Sequence, residues 1–293
     1  MTSNQGEPFA PFLDASGGSI ERHHFGMYQV DVWVPADHDA DTPLLVMHDG
    51  HNIFYPEFTI HNQTWDVLKA ISEKRITSKR KPIIAAVWMP QGENAFEQSR
   101  LYGLAPEDFI RSNSANWGEY ELDTPLDEQK LYGNHYQDTI ALKIIPFITE
   151  KFSLTLKREN TAIMGSSMGG IASLYAATRH PETYGAVLCL STHLSPWQES
   201  MIAELVAALP DPAGLKVWTD RGTLNLDAEY ELPHLRLISL LENRGYARDR
   251  DFQAHIFDGT DHNELFWARR IEYPINWWLG HLESSDWRIT SDQ

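Results

Sequence analysis

Asn160-Thr161-Ala162-Ile163-Met164-Gly165-Ser166-Ser167-Met168-Gly169-Gly170-Ile171 is the stretch that decides how this chain is read. A short apolar run meets a Gly-x-Ser-x-Gly pentad, and a small-residue helical pattern follows at once. Strand, tight turn, helix is the order that a nucleophile elbow requires. The turn forces Ser167 into a strained backbone conformation, so its neighbours must be nearly free of side chains. Gly165 and Gly169 meet that need, and Gly170 lets the new helix pack close to the sheet. The bare pentad is a weak signal, so its context and its partners elsewhere must carry the weight.

Working outward, Tyr28, Val30, Val32 and Val34 alternate with Gln29, Asp31 and Trp33, a period of two that predicts a half-buried antiparallel strand over 27–34. Leu44–Met47 is a continuous apolar run, as expected of a strand covered on both faces. The polar loop His48-Asp49-Gly50-His51-Asn52-Ile53-Phe54 follows it, then a helix with Thr64 as N-cap and Trp65, Leu68 and Ile71 on one face. A second buried strand, 83–89, stops at Pro90. Residues 91–132 show no sustained period and are too long for a plain connection, the mark of a lid or substrate wall. A helix over 136–152 then leads into the opening strand.

Beyond the elbow the alternation continues. Strands at 186–190, 215–219 and 252–257 are separated by helices around 199–209 and 233–244, and a closing helix holds Phe266, Ile271 and Trp277. Apolar strands alternating with amphipathic helices imply an α/β fold: a mostly parallel central sheet with helices on both faces. No repeat, linker or low-complexity run divides it. The expectation is a loose arm over 1–19 and one α/β-hydrolase domain over 20–293, with a long insertion around 91–132.

Composition narrows the function. The chain has 293 residues, 42% hydrophobic and 22% charged, which describes an ordinary globular protein. Its net charge of −17 argues against nucleic acid and against anionic membrane surfaces, since both need a basic face. Cys189 is the sole cysteine and lies in the apolar run Ala186–Leu190, where an inert core thiol is expected. The opening residues lack a basic n-region and an apolar h-region, and no apolar run reaches membrane-spanning length, so a cytoplasmic protein is expected.

A serine hydroxyl needs a base within hydrogen-bond reach and a group that orients the base. In α/β-hydrolases these follow in the order Ser, acid, His, on loops at strand C-termini. His262 stands where the base belongs, in Asp258-Gly259-Thr260-Asp261-His262-Asn263-Glu264 before the final helix. The acid should follow the strand at 215–219, where Asp220 and Asp227 compete and spacing alone leaves both open. An oxyanion hole needs two backbone N–H groups; Met168, after the nucleophile, and His51, in the early loop, are the candidates.

These stretches, together with Cys189-Leu190-Ser191-Thr192-His193 and Asp220-Arg221-Gly222-Thr223-Leu224-Asn225-Leu226-Asp227, resemble the esterase D-like ("putative esterase") family of α/β-hydrolases, which includes feruloyl and enterochelin esterases. The resemblance runs from about Val30 to Leu279. It implies that the acid follows the Gly-Thr turn, which favours Asp227 and keeps Asp220 in reserve. The family often reads Asp-Gly-Gln-Asn where this chain has Asp49-Gly50-His51-Asn52, and its loop after Trp88 is shorter.

Two rival readings are weighed. His48, Asp49 and His51, with His23 and His24, could supply a metal hydrolase, but they lack helical i, i+4 pairing and a distant completing carboxylate. A non-catalytic binding module on a hydrolase scaffold usually loses a triad member, and here all three candidates stand in order. The expectation is therefore a serine carboxylic ester hydrolase with Ser167, Asp227 and His262. No cofactor is implied. Its partner would be a small-molecule ester, small or aryl- or sugar-linked, with siderophore lactones and thioesters as alternatives. Homo-oligomerisation is compatible with the sequence. Phe96, Tyr102, Phe109, Trp117 and Tyr120 either wall the pocket or pack a small core of the insertion.

Overall fold

Short runs of four to six residues, bounded by turn formers, become the parallel strands of one sheet, and two longer strands of eight residues complete it. A computed structural model describes residues 13–59, 62–90, 96–113, 127–197 and 199–283. The strands are β1 (Gly18–Phe25), β2 (Tyr28–Pro35), β3 (Leu44–Met47), β4 (Ile83–Val87), β5 (Thr161–Ser166), β6 (Ala186–Leu190), β7 (Lys216–Arg221) and β8 (Phe252–Ile256). They form an eight-stranded sheet in the order β1-β2-β4-β3-β5-β6-β7-β8. β1–β2 and β2–β4 pair antiparallel and every other pair is parallel, so β5, which carries the elbow, lies well inside the sheet.

The helices follow from the crossovers that parallel strands require. In chain order they are α1 (Leu13–Ser16), α2 (His51–Phe54), α3 (Val67–Ser72), α4 (Phe96–Leu104), α5 (Glu107–Ser112), α6 (Gly133–Thr139), α7 (Ile145–Lys151), α8 (Met168–Arg179), α9 (Glu199–Ala207), α10 (Asn225–Glu229), α11 (Glu231–Asn243), α12 (Glu264–Ala268) and α13 (Glu272–Glu283). Period two on the strands splits the core in two. Val46, Ile163, Val187 and Val217 pack with Tyr136, Ile148, Ile171, Ile202 and Leu237 on one face. Met47, Met164, Leu188 and Trp218 pack with Ile53, Leu68, Trp267, Ile275 and Trp278 on the other. Each such side chain contributes on the order of 2 kcal/mol of burial. Among the described residues no helix is long and apolar enough to cross a membrane.

Several boundaries differ from the sequence reading. β1 has no predicted counterpart and begins inside the segment read as an arm. As an edge strand it is only partly buried, and Glu21, Arg22 and His23 carry none of the apolar alternation of an interior strand. Arg22 nonetheless reaches Asp31 with two hydrogen bonds of 2.6 and 3.0 Å, which satisfies a carboxylate buried on β2. Thr64 does not cap α3: its hydroxyl bonds Asp66, and Asp66, at φ 52°, is the N-cap. The helix expected over 136–152 runs through α6, a π-helical turn at Ile140–Ile144, and α7. It widens just before Pro146, which has no N–H to give to the preceding turn. The closing helix is divided into α12 and α13.

Candidate active site

β5 ends at Ser166 and α8 begins at Met168, which leaves Ser167 between them at φ 55° and ψ −122°. A non-glycine residue adopts that conformation only where its surroundings enforce it. Space enforces it first: a Cβ on Gly165 would lie 2.5 Å from the carbonyl carbon and oxygen of Gly169, and one on Gly170 2.7 Å from Thr192 Oγ1. Hydrogen bonds hold what space allows. The Ser167 N–H donates to Leu190 O at 2.9 Å, and the Ser167 carbonyl accepts from the N–H groups of Gly170 and His193 at 3.0 and 3.1 Å. The elbow is thus tied to the end of β6 and the loop beyond it.

The two aspartates that spacing left open part company in the fold. Strand β7 runs two residues further than its apolar run suggested, so Asp220 lies within it, opposite Leu190 and His255. Its carboxylate accepts from Arg270 Nη2 at 3.0 Å, Ser191 N at 3.2 Å and Trp218 Nε1 at 2.9 Å. Asp227, on the short α10, faces His262 instead: its Oδ1 lies 2.7 Å from His262 Nδ1. Its Oδ2 accepts from Ser191 Oγ and from the Gly222 N–H, each at 2.7 Å. Burial pushes the Asp227 carboxyl up, but the bonds from His262, Ser191 and Gly222 outweigh it and leave it below the usual range. Because an ionised carboxylate can only accept, His262 carries its proton on Nδ1, and Nε2 is left as the basic nitrogen.

Behind this pair, Ser191 Oγ accepts from Trp267 Nε1 at 3.1 Å and from Arg270 Nη2 at 2.7 Å. Arg270 is buried, holds Asp220, and stands 3.9 Å from Asp227. The indole of Trp267 also lies edge-on to the His262 ring at 5.0 Å. The imidazole is therefore clamped from two sides, and the support is shared among α10, α12 and the loop after β6.

The loop after β3 closes the other side. His51 is the first residue of α2 and Met168 the first of α8, positions whose N–H groups have no acceptor within their own helix. The loop sits directly on the elbow helix, since a Cβ on Gly169 would lie 3.3 Å from His48 Cβ. Asp49, at φ 53°, receives two bonds from Arg100 of α4, 2.8 and 2.7 Å long. His48 Nδ1 pairs with the Tyr136 hydroxyl at 2.8 Å, and burial lowers His48 to about 4. These side chains point to separate partners, and among the described residues no group of three His, Cys, Asp or Glu is arranged to hold a metal ion.

Arg100 and Tyr230 have no place in the sequence reading, and His193 enters it only as the end of a family-like stretch, without a role. Tyr230 caps α10 three residues after Asp227, and its hydroxyl bonds His193 Nδ1. Its ring stands edge-on to His262 at 5.4 Å. The position of Tyr230 one turn beyond the acid was the available signal. Cys189 is buried, and burial raises its thiol far above the usual range. Of the insertion aromatics, Phe109 packs edge-on to Tyr175 at 5.9 Å, and Tyr102 leans on the core and accepts from the Asp127 N–H at 3.3 Å. Both make packing contacts within the fold. Trp117, Tyr120 and the Phe96 side chain lie outside the described residues.

Comparison with known proteins agrees with this architecture. The family model described as "Putative esterase" matches residues 26–272. The uncharacterized protein YbbA of Bacillus subtilis (strain 168) is 20% identical over 282 residues, which cover 92% of this chain and 99% of YbbA. The enterobactin esterase FES from Shigella flexneri superposes with a TM-score of 0.62 at 15% identity, covering 94% of this chain. The chain spans only 64% of that protein's length. The enterobactin and salmochelin hydrolase IroE gives 0.61 at 16% identity, covering 90% of this chain and 96% of its own.

Proposed function

This chain belongs to the "Putative esterase" family, which supports an ester hydrolase, and we propose that it works as a serine carboxylic ester hydrolase through an acyl-enzyme. The observation that carries the proposal is the pair of features the mechanism needs: Ser167 at φ 55° on a strand-to-helix turn, and a His262 imidazole held by Asp227 at 2.7 Å. In this reading His262 Nε2 takes the Ser167 proton as Oγ attacks the ester carbonyl. Asp227 keeps the imidazole in the competent tautomer and stabilises the imidazolium that forms. The N–H groups of Met168 and His51 receive the tetrahedral oxyanion. Collapse breaks the bond to the alcohol, which leaves with the proton from His262. A water molecule then attacks the acyl-Ser167 ester with the same base, the acid is released, and Ser167 recovers its proton.

The substrate class we propose is a small or aryl- or sugar-linked ester. The test is Ser167→Ala assayed on p-nitrophenyl acetate together with labelling by a fluorophosphonate. Turnover should fall at least about 10⁴-fold and the label should be found on Ser167 in the parent enzyme. Turnover that survives the substitution, or label on another residue, would overturn the reading.

A further inference from the structure

The end of β6 touches both halves of the site. Leu190 O takes the Ser167 N–H at 2.9 Å, so the strand end grips the backbone of the nucleophile. One residue on, Ser191 is fully buried at φ 41°, a left-handed conformation that a non-glycine residue keeps only where its surroundings over-determine it. Its N–H donates to Asp220 Oδ1 at 3.2 Å. Its hydroxyl has one proton to give and two lone pairs to fill. Both lone pairs are taken, by Trp267 Nε1 at 3.1 Å and Arg270 Nη2 at 2.7 Å, and neither of those groups can accept. The proton therefore has a single destination, Asp227 Oδ2 at 2.7 Å. Arg270 is itself pinned, because Nη2 also holds Asp220 Oδ1 at 3.0 Å and Nη1 holds Thr260 Oγ1 at 3.1 Å.

Resting on the serine-hydrolase reading, we propose that Ser191 is a positioning residue: its hydroxyl, whose proton Trp267 and Arg270 direct, fixes the Asp227 carboxylate relative to the nucleophile. Ser191 and the Gly222 N–H together fill Oδ2, which leaves Oδ1 to face His262 Nδ1 at 2.7 Å. The carboxylate cannot turn without breaking one of these bonds, so the imidazole is presented to Ser167 in one orientation. Arg270 Nη2 stands 3.9 Å from Asp227 Oδ2 and reaches it through the Ser191 hydroxyl. The buried cation thus steadies the acid without displacing either donor from it. Ser191 has no exposed surface, so it acts on substrate only through Asp227 and His262 and gives up no proton. A base held in place in advance loses no rate to reorientation, so this lock serves the chemical steps and leaves substrate binding alone.

The test is Ser191→Ala, made in the parent and in Asp227→Asn, with p-nitrophenyl acetate kinetics and the rate of fluorophosphonate labelling. In the parent, kcat and the labelling rate should fall roughly 10- to 100-fold while KM stays within about twofold. In Asp227→Asn the same substitution should cost less than about threefold, because a group that acts through the carboxylate has nothing left to lose there. Ser191→Gly, which suits the left-handed backbone, should lose the same activity and stands in if the alanine variant does not fold. A folded variant with kcat within about twofold of the parent, beside an inactive Ser167→Ala, overturns this proposal and leaves the serine mechanism standing. An equal loss in both backgrounds overturns it too, since a merely structural serine gives that result. Failure of both variants to fold would make Ser191 a determinant of the fold, which equally overturns the positioning role. Activity surviving in Ser167→Ala would instead overturn the reading on which it rests.

Discussion

Asparagine at position 227 and asparagine at position 220 should produce opposite phenotypes, and the hydrogen bonds fix why. At Asp227, Ser191 Oγ and the Gly222 N–H both donate to Oδ2, with Arg270 Nη2 at 3.9 Å from the same atom. In Asp227→Asn the amide oxygen must stay with those donors, which turns the NH₂ toward His262 Nδ1. Nδ1 then has to accept, the ring proton moves to Nε2, and the base for Ser167 is lost. We expect kcat to fall about 10⁴-fold, about 5 kcal/mol of barrier. At Asp220 the loss is one of stability. Arg270 and Asp220 are 2% and 1% exposed and lie 3.0 Å apart, and stripping one partner from a buried ion pair costs about 3–5 kcal/mol. Arg270 keeps Ser191 Oγ and the more distant Asp227, so the lower end applies. Asp220→Asn should lower the melting temperature by roughly 6–12 °C while kcat stays within about tenfold. Urea denaturation and p-nitrophenyl acetate kinetics on both variants decide it. A stable but inactive Asp220→Asn beside an active Asp227→Asn would refute the assignment.

Two further outcomes follow from packing and burial. Gly165→Ala places a Cβ 2.5 Å from the Gly169 backbone, which has nowhere to retreat, so we expect about 3 kcal/mol of lost stability and loss of fluorophosphonate labelling; labelling at the parent rate would show that the elbow tolerates a side chain. His234 is lowered to about 4 by burial, reinforced by Arg221 and Arg248, so the unfolded chain binds a proton that the fold refuses between its ordinary 6.5 and about 4. Stability is then fully present above that window and lost as pH falls through it, by about 2 kcal/mol at pH 5 from this residue. Urea denaturation of His234→Leu should show a shallower decline between pH 7 and 5, and a slope equal to the parent's would refute the burial argument.

What the sequence could and could not convey divides along the range of the determining contacts. Strand, Ser167 and helix are contiguous, and the two glycines that permit the turn are within three residues of the nucleophile, so the elbow was legible at once. The order of acid and base was legible too, because it follows the order of strands. Which aspartate in the loop faces the histidine was not legible from spacing, because the outcome depends on Arg270, 50 residues along the chain, which claims Asp220 for the sheet. β1 escaped because its charged residues serve β2 across an edge rather than a core, as Arg22 does for Asp31. His193 and Tyr230 meet across 37 positions and share no pattern in one dimension, although each stands within three residues of a landmark, the end of β6 or Asp227. Loop positions at strand ends can therefore be assigned from periodicity, whereas the side chain that turns inward is selected by a buried partner delivered from another loop.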